Sequence, residues 1–380
     1  MNNNIIQYKE GEWTGLELPE DIKSGVQVIL VFADRFIVEE GVVLQQLKSH
    51  FSNAEIITCS SAGEINNRVA EENSAVCIAI QFEKTTLSLS KGNINDYGNS
   101  YELGKHAASN LPSENLQYVL MISDGNIVNG EALIEGIQSL LDEKVLISGG
   151  LAGDSNRFQK TLVGLNDDIR EGNVVLLGLY GNQIKVASGI EGGWDLFGPE
   201  KTITKSKGNI LHEIDNTSAL DLYKTYLGKY ADQLPASALL FPLSVKPNNS
   251  DDFLVRTILG IDENKKEMKF AGDVPEGSVV RFMKSNVDRL INAASEAESK
   301  LITQMNGISP ELVLIVSCVG RKIVLSERIE EEVEAATDRF SSEVTIAGFF
   351  SYGEIAPPDE KKRSRLHNQT ITITAFAELP

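Results

Sequence analysis

Apolar runs that end at a glycine followed by a carboxylate recur along this chain. Val28-Ile29-Leu30-Val31-Phe32-Ala33 stops at Asp34, and the run Glu55 to Thr58 leads into Cys59-Ser60-Ser61-Ala62-Gly63-Glu64-Ile65. Val119-Leu120-Met121-Ile122-Ser123 stops at Asp124, and Val145 to Ser148 leads into Gly149-Gly150-Leu151-Ala152-Gly153-Asp154-Ser155. Leu312 to Cys318 is a third run, and Val344 to Ala347 leads into Phe349-Phe350-Ser351-Tyr352-Gly353-Glu354-Ile355. Short apolar runs ending in turn residues read as strands, and glycine before an acid reads as a tight turn at the strand's end.

The copies also match in spacing. Asp34 lies 29 residues before Gly63, and Asp124 lies 29 before Gly153. The third copy takes 35 residues from Cys318 to Gly353, with the surplus around Val319 to Leu325. In between, the period becomes helical. Leu325, Ile329, Val333, Ala336 and Phe340 recur every three or four positions, with Glu330, Glu331, Glu332 and Glu334 expected on the solvated side. Each copy is thus strand, helix, parallel strand and turn, a right-handed crossover whose turn emerges at the carboxyl end of the strand. Open α/β sheets bind ligands there.

Two further patterns, Val76 to Phe82 with Thr86 to Leu89 and Val174 to Tyr180 with Ile184 to Ser188, read as antiparallel hairpins, and the alternating stretch His367 to Thr374 closes the chain. The fold class expected is α/β: a duplicated architecture of mixed sheets built from strand-helix-strand units plus hairpins, with helices packed on the sheets. Gly198-Pro199 breaks the pattern between Leu196 and Ser206. The expected division is an arm at 1–25, a region at 26–205 holding two repeats, and a region at 206–380 holding the third repeat and inserted strands. In that last region, Ser218 to Tyr226 reads as a helix closed by Gly228, and Ala238 to Leu243, Phe253 to Ile261 and Lys269 to Ala271 read as strands. Val287 to Met305 reads as a helix capped by Asn286.

A chain of 380 residues exceeds what one core usually organises, which favours duplication. Its net charge of −19 repels phosphate backbones and anionic lipid, so neither nucleic acid nor membrane is expected as a partner. The basic cluster Lys361-Lys362-Arg363-Ser364-Arg365 is short and reads as a solvated loop. The start Met1-Asn2-Asn3-Asn4-Ile5 lacks the basic and apolar regions of a secretory signal, and the three cysteines, Cys59, Cys77 and Cys318, have no metal-ligand spacing. Both observations point to a cytoplasmic protein with reduced core thiols.

Ser61 to Ile65, Gly149 to Asp154, Leu222-Tyr223-Lys224-Thr225-Tyr226-Leu227-Gly228, Phe270 to Ser278 and Gly348 to Pro357, together with Leu366 to Thr370, resemble the FIST family of bacterial signal-transduction sensors. The resemblance spans nearly the whole chain and takes in both the amino-terminal and the carboxy-terminal FIST regions. It implies a ligand-binding input protein for small molecules such as amino acids, with no chemistry of its own. It also implies a separate output partner, such as a histidine kinase or a cyclic-dinucleotide output protein. Some members resemble haem-dependent nitric-oxide sensors, so haem is the alternative ligand.

Glu64, Asp154, Asp273 and Glu354 each follow a glycine and either cap the next backbone segment or accept from a ligand ammonium. The turns Ser61, Gly63, Gly150, Gly153, Ser351 and Gly353 offer N–H and hydroxyl groups, and Phe350 and Tyr352 offer walls. His367, Asn368 and Gln369 form a polar entry to a strand, and Arg321 is a candidate partner for a ligand carboxylate. For a haem ligand the available histidines include His50, His106 and His212, which lie in polar or helical contexts and follow no haem-attachment motif. The enzymatic alternative is a hydrolase that uses Cys318, on condition of a depressed thiol pKa near His367, or one of the strand-end carboxylates.

Overall fold

The computed structural model describes residues 1–234, 236–248, 253–359 and 362–380. Lys361 of the basic cluster lies outside them. Three repeats are laid out alike. The first has lead-in strand β1 (Asn2–Lys9), β2 (Val28–Ala33), helices α1 (Arg35–Glu40) and α2 (Val42–His50), β3 (Glu55–Ser60), short β4 (Glu64–Asn66) and β5 (Ser74–Gln81). The second has β6 (Thr86–Asn93), α3 (Ser100–Ser109), β7 (Leu116–Ser123), α4 (Gly130–Gln138), β8 (Leu146–Leu151), β9 (Val163–Leu165) and β10 (Asn173–Tyr180). The third begins with β11 (Ile184–Glu191). It resumes after an insertion with α5 (Val287–Met305), β12 (Leu312–Cys318), α6 (Val319–Leu325), α7 (Ile329–Ala335), β13 (Thr345–Ser351), β14 (Gly353–Ala356), β15 (Arg365–His367) and β16 (Ile371–Glu378).

Within each repeat the two strands flanking the crossover run parallel, β2 with β3, β7 with β8 and β12 with β13. The last strand returns antiparallel beside the first, and the lead-in strand pairs outside it. The short strand after each turn leaves its own sheet. β9 of the second repeat joins β3, β14 of the third joins β8, and β4 of the first joins β13. This exchange runs through all three repeats and closes on itself. The stretches read as hairpins, β5 with β6 and β10 with β11, are corrected here: each pair is split between two sheets, and the turn carries the chain from one repeat to the next. Turn residues specify a reversal, but not which strand offers the free ladder edge.

The crossover strands are apolar on both faces because both faces are covered. Val28, Leu30 and Phe32, Tyr118, Leu120 and Ile122, and Leu312, Leu314 and Val316 meet in one central cluster, where Phe32 and Phe349 stack with centroids 4.7 Å apart. The alternate residues face helices: Ile29 and Val31 meet Val43 and Leu47 of α2, while Val313 and Ile315 belong to a cluster with Ala294, Ala297 and Leu301 of α5. Each such fully buried side chain contributes about 1.5–3 kcal/mol. Asn286 caps α5, accepting from Arg289 N–H, and Asn306 in a left-handed conformation ends it.

The described residues of the insertion, between Asp195 and Lys284, form an eight-stranded sheet with antiparallel pairings and an apolar cluster around Tyr223, Phe270 and Phe282. The boundary sought between Leu196 and Ser206 is occupied by its first strand, Asp195–Lys207, and Gly198-Pro199 falls in a bulge of that strand. Ala238 to Leu243, expected as a strand, is mainly a 3-10 turn at Ala236–Leu240, and the strand there is Leu243–Lys246. In the third crossover, Glu332 is fully buried rather than solvated, because it faces Arg321.

Candidate functional site

The three glycine-acid turns meet. Ala62 N–H donates to the Phe350 carbonyl, Tyr352 N–H to the Leu151 carbonyl and Gly153 N–H to the Ser60 carbonyl, at 2.8, 3.1 and 2.9 Å. The turns therefore form a closed ring of backbone hydrogen bonds through the three repeats. Gly63 needs its positive φ of 122°. At Gly153 the requirement is close approach, since a Cβ there would lie 2.7 Å from Ala62 N. Gly150 and Gly353 are likewise packed, against Val316 and Leu366.

The acids turn away from any common pocket. Glu64 is fully buried and accepts from Ser61 Oγ and, at 2.7 Å, from Ser74 Oγ. Glu354 accepts from Ser351 Oγ at 2.6 Å and from Thr370 Oγ1 and N–H at 2.9 and 3.2 Å. Burial pushes Glu64 up to about 8 and Glu354 up to about 7, although these hydrogen bonds favour the ionised form. Asp154 is one carbon shorter and reaches across to the first repeat, accepting from Arg35 Nε at 2.9 Å and Arg157 Nε at 2.6 Å. Burial works to raise Asp154, but Arg157 and Arg35 outweigh it and hold the carboxyl below its ordinary value. All three are interlocks between strands or repeats. Tyr352 stacks on Phe158 at 4.6 Å, and Phe350 is buried with Lys322 Nζ over its ring.

His367, Asn368 and Gln369 lie elsewhere, at the seam between the third repeat and the inserted sheet. Two buried arginines fasten this seam. Arg321 donates from Nε to Glu332 at 2.8 Å, from Nη2 to the Leu290 carbonyl at 2.8 Å and from Nη1 to the Gly192 and Gln369 carbonyls, so it joins the two ends of the insertion. Its donors are engaged, which leaves none for a ligand carboxylate. Arg256 donates to the carbonyls of Asp273 and Leu366 at 3.0 and 3.3 Å and to Glu131 at 2.6 Å. Asp273 therefore belongs to this seam and not to the ring of turns.

Between the two arginines the polar groups are incompletely satisfied. Asn368 is 1% exposed and Gln369 0%. Asn368 Nδ2 donates to the His367 carbonyl at 3.0 Å, and Gln369 Nε2 lies 3.5 Å from the Leu239 carbonyl of the insertion. Asn368 Oδ1 and Gln369 Oε1 have no partner among the described residues, nor has Thr257 Oγ1, beside Arg256. Gln369 is held with φ of 60°, its carbonyl accepting from Trp194 Nε1 at 2.8 Å. Its amide lies against Gly320, where a Cβ would come within 2.6 Å of Nε2. Buried acceptors without donors are costly, and a domain junction is a common place for a ligand to supply them.

Arg256, Leu239 and Trp194 were not singled out in the sequence, and Glu332 was expected on the solvated side. Arg256 alone left a signal, as an arginine inside the apolar stretch Phe253 to Ile261. Cys318 adjoins the seam, but burial, with Glu354 nearby, pushes its thiol up, opposite to what a nucleophile requires. The histidines do not fit a haem. His50 contacts Gln46 and Glu17 at the surface, His106 stacks on Tyr97, His212 faces Glu267, and His367 Nε2 lies 3.1 Å from the Ala356 carbonyl. Among the described residues, no group of three or more His, Cys, Asp or Glu gathers as metal ligands, and no helix is long and apolar enough to cross a membrane.

Comparison with known proteins matches the FIST N domain at residues 27–217 and the FIST C domain at residues 219–357. An uncharacterized protein of Methanocaldococcus jannaschii is 21% identical over 412 residues, covering 96% of this chain and 77% of the relative.

Proposed function

The chain belongs to the FIST family, whose domains are generally sensory and bind small ligands in signal transduction, and from that premise we propose that it is a cytoplasmic sensor of an amino acid or related amine-bearing metabolite, bound at the seam. The observation that carries the reading is the pair of unpartnered, fully buried acceptors, Asn368 Oδ1 and Gln369 Oε1, between the two arginine fasteners. An ammonium group offers three donors of matching chemistry.

The seam is closed, so binding requires the inserted sheet to lift about its two attachments, near Gly192 and Leu290. Gly193, with φ of 73°, lies at the first of them. A ligand with higher affinity for one position of the insertion shifts the population toward it, and a separate output protein of the histidine-kinase or cyclic-dinucleotide type reads that shift. The three cysteines are free and buried, which agrees with a reducing compartment.

A thermal-shift screen of amino acids and small amines tests the reading. A ligand at a hundred times its dissociation constant adds about 2.7 kcal/mol. No shift from any member of the library would overturn the proposal.

A further inference from the structure

At the amino end of β8, opposite the ring of turns, a cavity of about 270 Å³ opens between the end of α4, β11, the end of α5 and the segment around Arg363. Lys144, Lys185 and Arg363 line it from three different elements. Lys144 and Lys185 make no ion pair or side-chain hydrogen bond among the described residues, although most lysines of this acidic chain are paired with a carboxylate. Arg363 donates from Nη2 to the carbonyls of Gln138 and Leu141 at 2.9 and 3.5 Å, which fixes its position without neutralising it. Asp142 and Glu143 also line the cavity, but both are exposed, and Asp142 Oδ1 turns to the Lys144 backbone N–H at 2.9 Å.

We propose that this cleft is a second ligand site, for a small polyanion such as a phosphorylated or multiply carboxylated metabolite. Four cations, Lys144, Lys185, Arg363 and the Asp359-paired Lys362, outnumber the two lining carboxylates and converge on one concavity, an electrostatic trap in a chain whose overall charge of −19 otherwise repels anions. A guanidinium already anchored through one nitrogen presents its remaining donors at little ordering cost, and the two lysines supply mobile point charges. A monoanion gains little here over solvent, whereas a dianion bridges two elements. Occupancy would join the second repeat to the third.

Calorimetric titration of the full chain with sodium pyrophosphate and with citrate, at fixed ionic strength, tests this site. One of the two is expected to bind saturably, and which one does so separates phosphate from carboxylate recognition. Affinity is expected to fall about tenfold in Lys185→Gln and again in Lys144→Gln, whereas Lys205→Gln, on the inserted sheet, leaves it unchanged. Lys144 is exposed and Lys185 half-buried without a partner, so these variants fold. No saturable binding by either probe, or binding that survives unchanged in the Lys144→Gln/Lys185→Gln double variant, would overturn the proposal.

Discussion

Gln369 Nε2 lies 3.5 Å from the Leu239 carbonyl oxygen, a long contact between the third repeat and the insertion, while Oε1 of the same amide has no partner among the described residues. An amide kept for stability would satisfy both ends. One that accepts from a ligand leaves its oxygen free in the unliganded protein, at a cost in stability.

That cost can be measured directly. Replacing a buried amide whose oxygen is unpartnered by an apolar side chain of similar shape removes that oxygen's desolvation penalty, about 1–3 kcal/mol, against the loss of one hydrogen bond from its nitrogen. Asn368→Leu and Gln369→Met are expected to melt at or above the temperature of the parent protein. A large drop in either would mean that the oxygen has a structural partner.

Arg321 behaves oppositely. Arg321→Met leaves Glu332 buried with only Ser317 Oγ to donate to it, and should cost about 3–5 kcal/mol. The double variant Arg321→Met/Glu332→Leu should recover much of that loss. If the double variant is no more stable than the single one, as read by denaturant unfolding, Glu332 is not the partner that matters.

The pH profile follows from Glu64 and Glu354. Both have a native pKa raised from the ordinary 4.5, to about 8 and about 7. Between these values the native state keeps a proton that the unfolded chain has lost. The stability is thus fully present below about pH 4.5 and is lost as pH rises through 7 and then 8. Melting temperature should fall over that window, and Glu64→Gln/Glu354→Gln should flatten the fall while leaving ligand affinity unchanged. An unaltered slope would show that neither carboxyl is protonated in the native state.

Asp154 gives the opposite sign. Its pKa is lowered, so its contribution is present above the ordinary 3.8 and lost as pH falls below it. Asp154→Asn removes the carboxylate that Arg35 and Arg157 share across the joint between the first and second repeats, leaving each with its other partner, Glu39 and Asp34. About 2–4 kcal/mol is the expected loss, below the fully buried case because Arg157 is partly exposed. No change in unfolding free energy would remove Asp154 from the interlock.

The three repeats were legible because their signals are local: a glycine before an acid at a strand end, and a constant 29 residues back to Asp34 and Asp124. Even the six-residue surplus in the third copy fell where α6 now carries Arg321. The cyclic exchange was not legible, since nothing in Glu64 to Asn66 says that its ladder partner is Ala347 to Phe349. The role of the acids was half legible. Their positions at the turns were evident, but whether Glu354 faces a ligand or Thr370 depends on a loop residue sixteen positions away, just before β16. The seam depended on contacts further apart still, since Arg256 reaches Leu366 across 110 residues.

The central claim is that the Asn368 and Gln369 oxygens hold the ligand. The decisive measurement is a calorimetric titration of the amino acid or amine found by the thermal-shift screen into the parent protein and into Asn368→Leu/Gln369→Met. The account predicts saturable binding to the parent and at least about a tenfold weaker dissociation constant in the double variant, with unliganded melting no lower. An unchanged dissociation constant in a well-folded double variant would contradict it.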